Sequence, residues 1–390
     1  MTSGTQAAFE VLFWGSAGVL LYIYAGYPLL LALLAHLAPR RLKPSESFYP
    51  SVTLVISAYN ESQIIRAKLE NSLALDYPKN LLEIMVISDC SNDGTDEIVS
   101  EYTASGVRLV RQPQRRGKSA GLNPGVSQAK GEILVFSDAN ALYQPDAIRH
   151  LMRHFSDSKV GYVVGNSRYV EKDAESPSAE SEGLYWRLET WVKAKESRFA
   201  SVVGGDGAIY AIRRELYTPL RETDISDFLN PLQITDRGYR GVFEPAAVSY
   251  EETAESFPKE FRRKVRIISR SLNALMQAPG VLNPLKNPRH WFLLVSHKLL
   301  RWFSPLFVIV FCTTAFALWE SPFYRLVAWF EIAFFALAGT GGALQRRENT
   351  WKIFSLPYYF CLMNAASLIG CFKCFRGDLS ATWMSPRAEA

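Results

Sequence analysis

The sequence predicts an α/β domain of Rossmann-like type flanked by transmembrane α-helices, and three observations predict it. Between Ser51 and roughly Glu252, short β-branched runs alternate with longer amphipathic stretches, the rhythm of a parallel sheet covered on both faces. An uncharged apolar run precedes this region and three apolar blocks follow it. Polar residues also stand at the ends of four consecutive strands, where open α/β sheets bind ligands. With 48% hydrophobic and 13% aromatic residues in 390, the chain is rich in apolar side chains for a soluble protein.

Taken in order, Val11 to Leu37 contains no Asp, Glu, Lys or Arg and meets the roughly 20-residue length needed to cross hydrocarbon. Met1 to Glu10 has no Lys or Arg, so the run is expected to be a retained anchor, not a cleaved signal peptide. The basic patch Arg40-Arg-Leu-Lys43 then places the middle region in the cytoplasm by the positive-inside tendency. There the pattern predicts a strand at Val52–Ser57, a helix at Glu61–Leu73, a strand at Glu83–Ser88, a helix at Thr95–Tyr102, a strand at Val107–Arg111, a helix at Lys118–Ala129 and a strand at Ile133–Ser137.

Beyond Gly161 the alternation gives way to an amphipathic helix around Glu182–Glu189, whose neighbourhood holds Tyr185, Trp186 and Trp191 as core aromatics or as flat faces for stacking on a ligand. A glycine-rich stretch at Val203–Arg213, an acid-led helix from Asp227 to Thr235 and a basic helix at Glu260–Arg270 follow. Pro284–His297 is expected along the membrane face. Crossings are expected at Trp302–Trp319, Leu326–Leu344 and Ile353–Phe372, with Arg346, Arg347 and Lys352 cytoplasmic. Three crossings leave the C-terminus outside, whereas Thr382–Arg387 has the composition of an interfacial segment suited to the inside. The expected parts are an anchor and linker (1–45), an α/β domain (46–252), basic and interfacial helices (253–300), three transmembrane helices (301–375) and a tail (376–390).

The five cysteines make no disulfide framework, and the C-x-x-C at Cys371 is expected to pack in the membrane. A net charge of +5 suits anionic lipid surfaces and phosphorylated substrates. The lipid bilayer is thus an expected partner, and no nucleic acid is.

The strand ends are Ala58-Tyr-Asn-Glu61, Asp89-Cys-Ser-Asn-Asp-Gly-Thr95, Gln114-Arg-Arg-Gly-Lys118 and Asp138-Ala-Asn140. Any one of them could be an ordinary cap or turn. Four on one rim argue for a ligand site. A divalent ion that bridges phosphates needs only one or two protein oxygen ligands, which Asp138 and Asn140 could supply. Gly117-Lys118 adds a flexible approach and a cation but lacks the spacing of a P-loop.

The ordered series AYNE, SDCSNDGT, RRGKSAGLNPG and FSDAN resembles family 2 glycosyltransferases of GT-A fold, above all the processive membrane synthases of the cellulose, hyaluronan and poly-N-acetylglucosamine type. The resemblance implies an inverting hexosyltransferase of the plasma (inner) membrane, multi-pass, that uses a UDP-sugar and Mg²⁺ or Mn²⁺ on the cytoplasmic side. It sets Asp138 and Asn140 at the family's D-x-D metal motif, with an amide where the second acid stands, so that Asp138 is the firmer ligand. It puts Tyr59, Glu61 and Asp89 around the uridine and Lys118 near the diphosphate. Gly204, Gly205 and Asp206 fall under the acceptor sugar, with Arg213 in support.

Asp227 becomes the general base, although the first acid of the family's pair is Ser226 here. Arg263 and Arg266 become the diphosphate clamp at a Q-x-x-R-W segment in which Arg263 stands for Gln and Ile267 for Trp. Lys298-Leu-Leu-Arg-Trp302 is a rival for that segment, and composition alone would also let the basic helix lie on anionic headgroups. The implied product is a β-linked polysaccharide that leaves through the membrane. Four crossings are few for a channel, so additional export or synthase subunits, or no translocation at all, are the alternatives. Single-sugar transfer to a polyprenyl-phosphate or lipid acceptor competes with polymer synthesis, and a noncatalytic nucleotide-binding subunit competes with both.

Overall fold

A computed structural model describes residues 2–170, 177–252, 257–344 and 351–379. Arg346, Arg347 and Thr382–Arg387 lie outside the described residues, as does the side chain of Tyr185. Eight strands form one sheet: β1 (Val52–Ala58), β2 (Leu82–Ser88), β3 (Val107–Arg111), β4 (Ile133–Asp138), β5 (Leu142–Tyr143), β6 (Val160–Val170), β7 (Tyr210–Arg213) and β8 (Arg240–Glu252). Their order is β3-β2-β1-β4-β7-β6-β8-β5. Strands β1 to β4 pair in parallel, as expected for short connections through helices.

The sheet as a whole is mixed, which corrects the expectation of a parallel sheet. Strand β7 runs antiparallel to both β4 and β6, and β5 antiparallel to β8. The reversal has a positional consequence. Because Tyr210 pairs with Phe136 and Arg213 with Ile133, the chain entering β7 lies beside the carboxyl end of β4. The glycine-rich segment before β7 is thereby delivered to the rim that carries Asp138.

Side chains alternate across the buried strands and feed two cores. Leu54 and Ile56 of β1 and Val135 of β4 join a cluster with Leu69, Val99 and Leu151. Val55, Leu134 and Phe136 face the other way, into a cluster that continues through Tyr162 and Phe228 to Tyr27, Leu31, Leu294, Trp302 and Cys371. One face of the sheet therefore shares its core with the apolar helices.

Among the described residues, three helices are long and apolar enough to cross a membrane: Ser3–Leu37, Pro322–Leu344 and Lys352–Phe375. The expected crossing at Trp302–Trp319 is instead a 14-residue helix, Ser304–Ala317, bent by 55° from Pro288–Trp302. At about 1.5 Å per residue, 14 residues fall short of a roughly 30 Å hydrocarbon core, so it makes a fourth span only together with its partner. The basic helix, Phe257–Gln277, does not lie on a surface. It buries Val265, Ile268 and Leu272, and an added Cβ at Gly370 of the last helix would meet Ile268 Cβ at 3.0 Å. The free cysteines include all five, and none is bonded to another.

Away from the cavity, Glu244 of β8 is 3% exposed and accepts from Arg153 Nη2 at 2.6 Å and from the Ala246 amide at 2.9 Å, with His154 Nε2 2.6 Å away. Burial alone would raise its carboxyl, but these donors hold it at about 2. A carboxylate depressed on folding stabilises the protein at pH above the ordinary Glu value of about 4.3, and that contribution is lost as pH falls through the folded value. Glu244→Gln should cost about 3 kcal/mol at neutral pH and should flatten the fall in Tm between about pH 4 and pH 2, as read by thermal unfolding of the detergent-solubilised protein.

Candidate active site

The ends of β1 and β2 are stitched together. Asn60 and Cys90, the residues just past the two strand ends, take left-handed backbone angles of φ 51° and 62°, which non-glycine residues adopt only where surroundings insist. Asn60 and Asn92 exchange hydrogen bonds of 2.9 and 3.0 Å. The Glu61 amide donates to Thr95 Oγ1 at 2.9 Å and the Ser62 amide to Asp93 at 3.0 Å. These amides are turned to the neighbouring loop, and the helix expected from Glu61 begins at Ile65.

Asp89 organises the third strand end. Its carboxylate accepts from Gln112 Nε2 at 2.7 Å and from the amides of Arg116 and Gly117 at 2.8 and 2.9 Å. Burial raises its carboxyl, and the two amides oppose that rise. Held in this way, the segment from Gln112 to Gly117 curls over β2 and lays the Arg115 guanidinium 3.8 Å from the centre of the Tyr59 ring.

At the end of β4 the charged groups converge. Lys118, at the start of the helix Lys118–Gln128, donates to Asp138 and lies 3.4 Å from the Gly207 carbonyl. An added Cβ at Gly207 would sit 3.3 Å from Asp227 Oδ2, 3.5 Å from Asp138 Oδ2 and 3.6 Å from Lys118 Nζ. Two acids and a cation thus surround one backbone carbon. The preceding turn is tighter: the Gly205 amide donates to the Asp227 carbonyl at 2.5 Å, and an added Cβ there would meet that oxygen at 2.6 Å. Asp206 is held by Lys193 at 3.2 Å.

Burial works against the Lys118 charge, but Asp138 and then Asp227 outweigh it and hold the ammonium above its ordinary value. Burial is also the main reason that the Asp227 carboxyl is raised; Asp206 and Asp138 push the same way and Lys118 opposes. Glu251, near the end of β8, is pushed to about 8 by burial and then by Asp138 and Asp206.

Tyr59, Glu61, Asp89, Lys118, Asp138, Asn140, Gly204, Gly205, Asp206, Asp227, Arg263 and Arg266 all line one cavity of about 1170 Å³. Arg213 does not join them. It donates to the carbonyls of Val160, Phe155 and Asp157, because the reversed β7 carries it to the opposite end of the sheet. Both rivals for the cation segment reach the cavity: Arg263 and Arg266 from one helix, Lys298, Arg301 and Trp302 from another. Trp302 packs edge-on against Phe228, with ring centres 5.7 Å apart.

Sequence reasoning missed Gln112, Glu189, Glu251 and Arg270, which also line the cavity. Gln112 was within reach, since it directly follows a correctly placed strand. The others lie on helices or at a strand end with no motif to single them out. Among the described residues, no group of three or more His, Cys, Asp or Glu could hold a metal. Asp138, with a third of its side chain exposed, fits instead an ion completed by substrate phosphates and water, and Asn140 lines the same cavity.

The family model described as glycosyl transferase family 2 matches residues 53–218. A "Probable glycosyltransferase YdaM" of Bacillus subtilis (strain 168) is 28% identical over 238 residues, covering 56% of this chain and 54% of that protein. The poly-β-1,6-N-acetyl-D-glucosamine synthase of Staphylococcus aureus (strain COL) is 28% identical over 221 residues, covering 55% and 53%. The chain spans about half the length of these curated relatives. Among solved structures, the mannosyltransferase PcManGT of Pyrobaculum calidifontis, in complex with GDP-Man and Mn²⁺, superposes with a TM-score of 0.69 at 22% identity, covering 96% of this chain and 99% of that one.

Residues 53–218 are therefore a family 2 glycosyltransferase domain, and its fold is GT-A. Asp227, Arg263 and Arg266 lie beyond the matched residues, so their assignment rests on the cavity's geometry. Gly205→Ala should force the Asp227 turn away from Asp138 and lower turnover by about 100-fold, the typical effect of a 1 Å misplacement, while nucleotide affinity measured by titration stays the same.

Proposed function

We propose that the protein is an inverting glycosyltransferase that moves a sugar from a UDP-sugar to the growing end of a β-linked polysaccharide at the cytoplasmic face of the plasma membrane. One observation carries this reading: Asp227, Asp138 and Lys118 face each other across Gly207 in a cavity that runs from the Tyr59 and Asp89 loops to Tyr24, Tyr359 and Asn364 of the apolar helices. A donor entering from the sheet rim and an acceptor entering from the membrane side would meet at Asp227.

Asp227, its carboxyl raised by burial, is suited to take the proton from the acceptor hydroxyl as that oxygen attacks the anomeric carbon. A single displacement of this kind turns an α-linked donor into a β-linked product. Lys118, Arg263 and Arg266 would stabilise the charge that builds on the departing diphosphate. Burial and the neighbouring Arg270 and Arg263 lower Arg266 to about 10, so an arriving anion would relieve the crowding of cations. Asp138 would hold a divalent ion with Asn140 beside it, and when bound that ion would add Lewis-acid charge at the diphosphate.

Uracil is the assigned base on account of Asp89 and Tyr59, although three donors already engage Asp89 and Arg115 covers Tyr59. The synthase relative favours a polymer. Leu356, Phe360 and Met363, which line the membrane end of the cavity, favour the second reading, transfer of one sugar to a polyprenyl-phosphate or other lipid acceptor.

The test uses purified protein in membranes, a panel of UDP- and GDP-sugars, and sizing of the product. A ladder of long chains is expected with a UDP-sugar; a single-sugar lipid product would replace polymer synthesis by the second reading, and preference for a GDP-sugar would overturn the base assignment. Asp227→Asn should lower kcat by 10²- to 10⁴-fold, roughly the contribution of a general base, with donor KM little changed; wild-type turnover would remove Asp227 from the mechanism. Chelation with EDTA should abolish nucleoside diphosphate release, and Mn²⁺ or Mg²⁺ should restore it.

A further inference from the structure

Two helices on the membrane side are each interrupted by a single π-helical turn, Tyr22–Gly26 in the N-terminal helix and Val295–Leu299 in Pro288–Trp302. Such turns re-aim side chains and are frequent at functional sites. Here they face each other, with Tyr22 Oη and Ser296 Oγ 2.8 Å apart. The second turn carries His297, whose side chain is fully buried.

His297 stands between two carboxylates of the helix Pro177–Phe199, with Nδ1 2.6 Å from Glu196 Oε1 and Nε2 3.0 Å from Glu189 Oε1. Tyr27 of the N-terminal helix donates to the same Glu196 oxygen at 2.8 Å, and its ring stacks on His297 with centres 6.0 Å apart.

Both carboxylates lead on to Asp227. Glu196 Oε2 accepts the Val203 amide at 3.1 Å, and two residues later the Gly205 amide donates to the Asp227 carbonyl at 2.5 Å. Glu189 lies 3.0 Å from both Lys298 Nζ and Arg301 Nη1, and the next residue, Trp302, packs against Phe228, the neighbour of Asp227. From one histidine, two short routes thus reach Asp227 and its neighbour Phe228. The loops that hold Asp89 and Tyr59 are built from β1, β2 and β3 without these groups.

We propose that His297 is a positioning residue: by bridging Glu189 and Glu196 it sets the Val203–Gly205 turn and Trp302 around Asp227, and so ties acceptor-dependent transfer to the packing of the membrane helices. The inference rests on the function proposed above. Its mark is selectivity, because loosening the bridge disturbs the acceptor end and leaves the nucleotide end as it was.

The experiment compares wild type with His297→Ala and His297→Gln in detergent. For His297→Ala, kcat over acceptor KM should fall by about 100-fold, the scale of a small misplacement, while donor KM and acceptor-independent donor hydrolysis stay within about twofold; His297→Gln, which keeps an N–H donor, should recover part of the loss. Hydrogen exchange gives a second readout that needs no turnover: amides of 201–207 should exchange faster in His297→Ala, and those of 112–117 should not. Unchanged acceptor kinetics with unchanged exchange would overturn the proposal, and so would a parallel loss of donor and acceptor parameters with a lowered Tm, which marks a merely structural role. If His297→Ala does not fold, Tyr27→Phe, which removes one donor from Glu196, is read by the same split. A wild type that transfers no sugar from any donor defeats the proposed function, and the exchange pattern then still decides whether His297 sets the turn.

Discussion

The meeting of Lys118, Asp138 and Asp227 around Gly207 is the constraint on which the rest of the structure depends. Two carboxylates in a half-buried cleft repel each other, and the ammonium between them makes the arrangement tolerable. An added Cβ at position 207 would crowd Asp227 Oδ2 at 3.3 Å and meet Asp138 Oδ2 and Lys118 Nζ in ordinary contact at 3.5 and 3.6 Å. The sheet serves this point: β4 presents Asp138, the reversed β7 draws the glycine turn alongside, and the helix Ser226–Asp236 carries Asp227 in its first turn where that glycine turn passes.

The apolar helices extend the same construction. Their packing is continuous with one face of the sheet, and they supply Tyr24, Trp302, Ser304 and Asn364 to the cavity wall. Ser304 Oγ lies 2.9 Å from Asn364 Oδ1 and 3.5 Å from the Tyr24 hydroxyl, which links three helices by polar contacts at the membrane end. Lys298 and Arg301 pair with Glu189, and His297 contacts both Glu189 and Glu196, which binds the helix Pro288–Trp302 to the α/β domain. Burial would raise the Glu189 carboxyl, but Lys298, His297 and Arg301 hold it well below its ordinary range. The α/β domain and the helices are therefore coupled through a buried charged contact.

Much of the cavity was legible in the sequence because each strand end announces itself locally. An apolar run followed by Asp89, Lys118 or Asp138 needs only the strand's own length to place the polar group on the rim. The resemblance to family 2 glycosyltransferases extended this to Gly204, Gly205, Asp206 and Asp227, which share the cavity. Legibility failed where position depended on distant pairing. Arg213 follows the glycine turn in sequence yet lies at the far end of β7, and Glu251 enters the acid cluster only because β8 runs parallel to β6 and ends near Asp138.

Composition and periodicity by themselves determined three of the four expected apolar helices, the alternating first half of the sheet and the polar strand ends, because these follow from neighbours a few residues apart. Tertiary structure alone decided the mixed order of the sheet, the turning of the basic helix from a surface into the cavity wall, and the burial of His297 between two carboxylates. These rest on contacts between segments separated by about a hundred residues, such as His297 with Glu189 and Glu196. Local pattern specifies which face of an element is apolar, whereas only the packed chain specifies what that face meets.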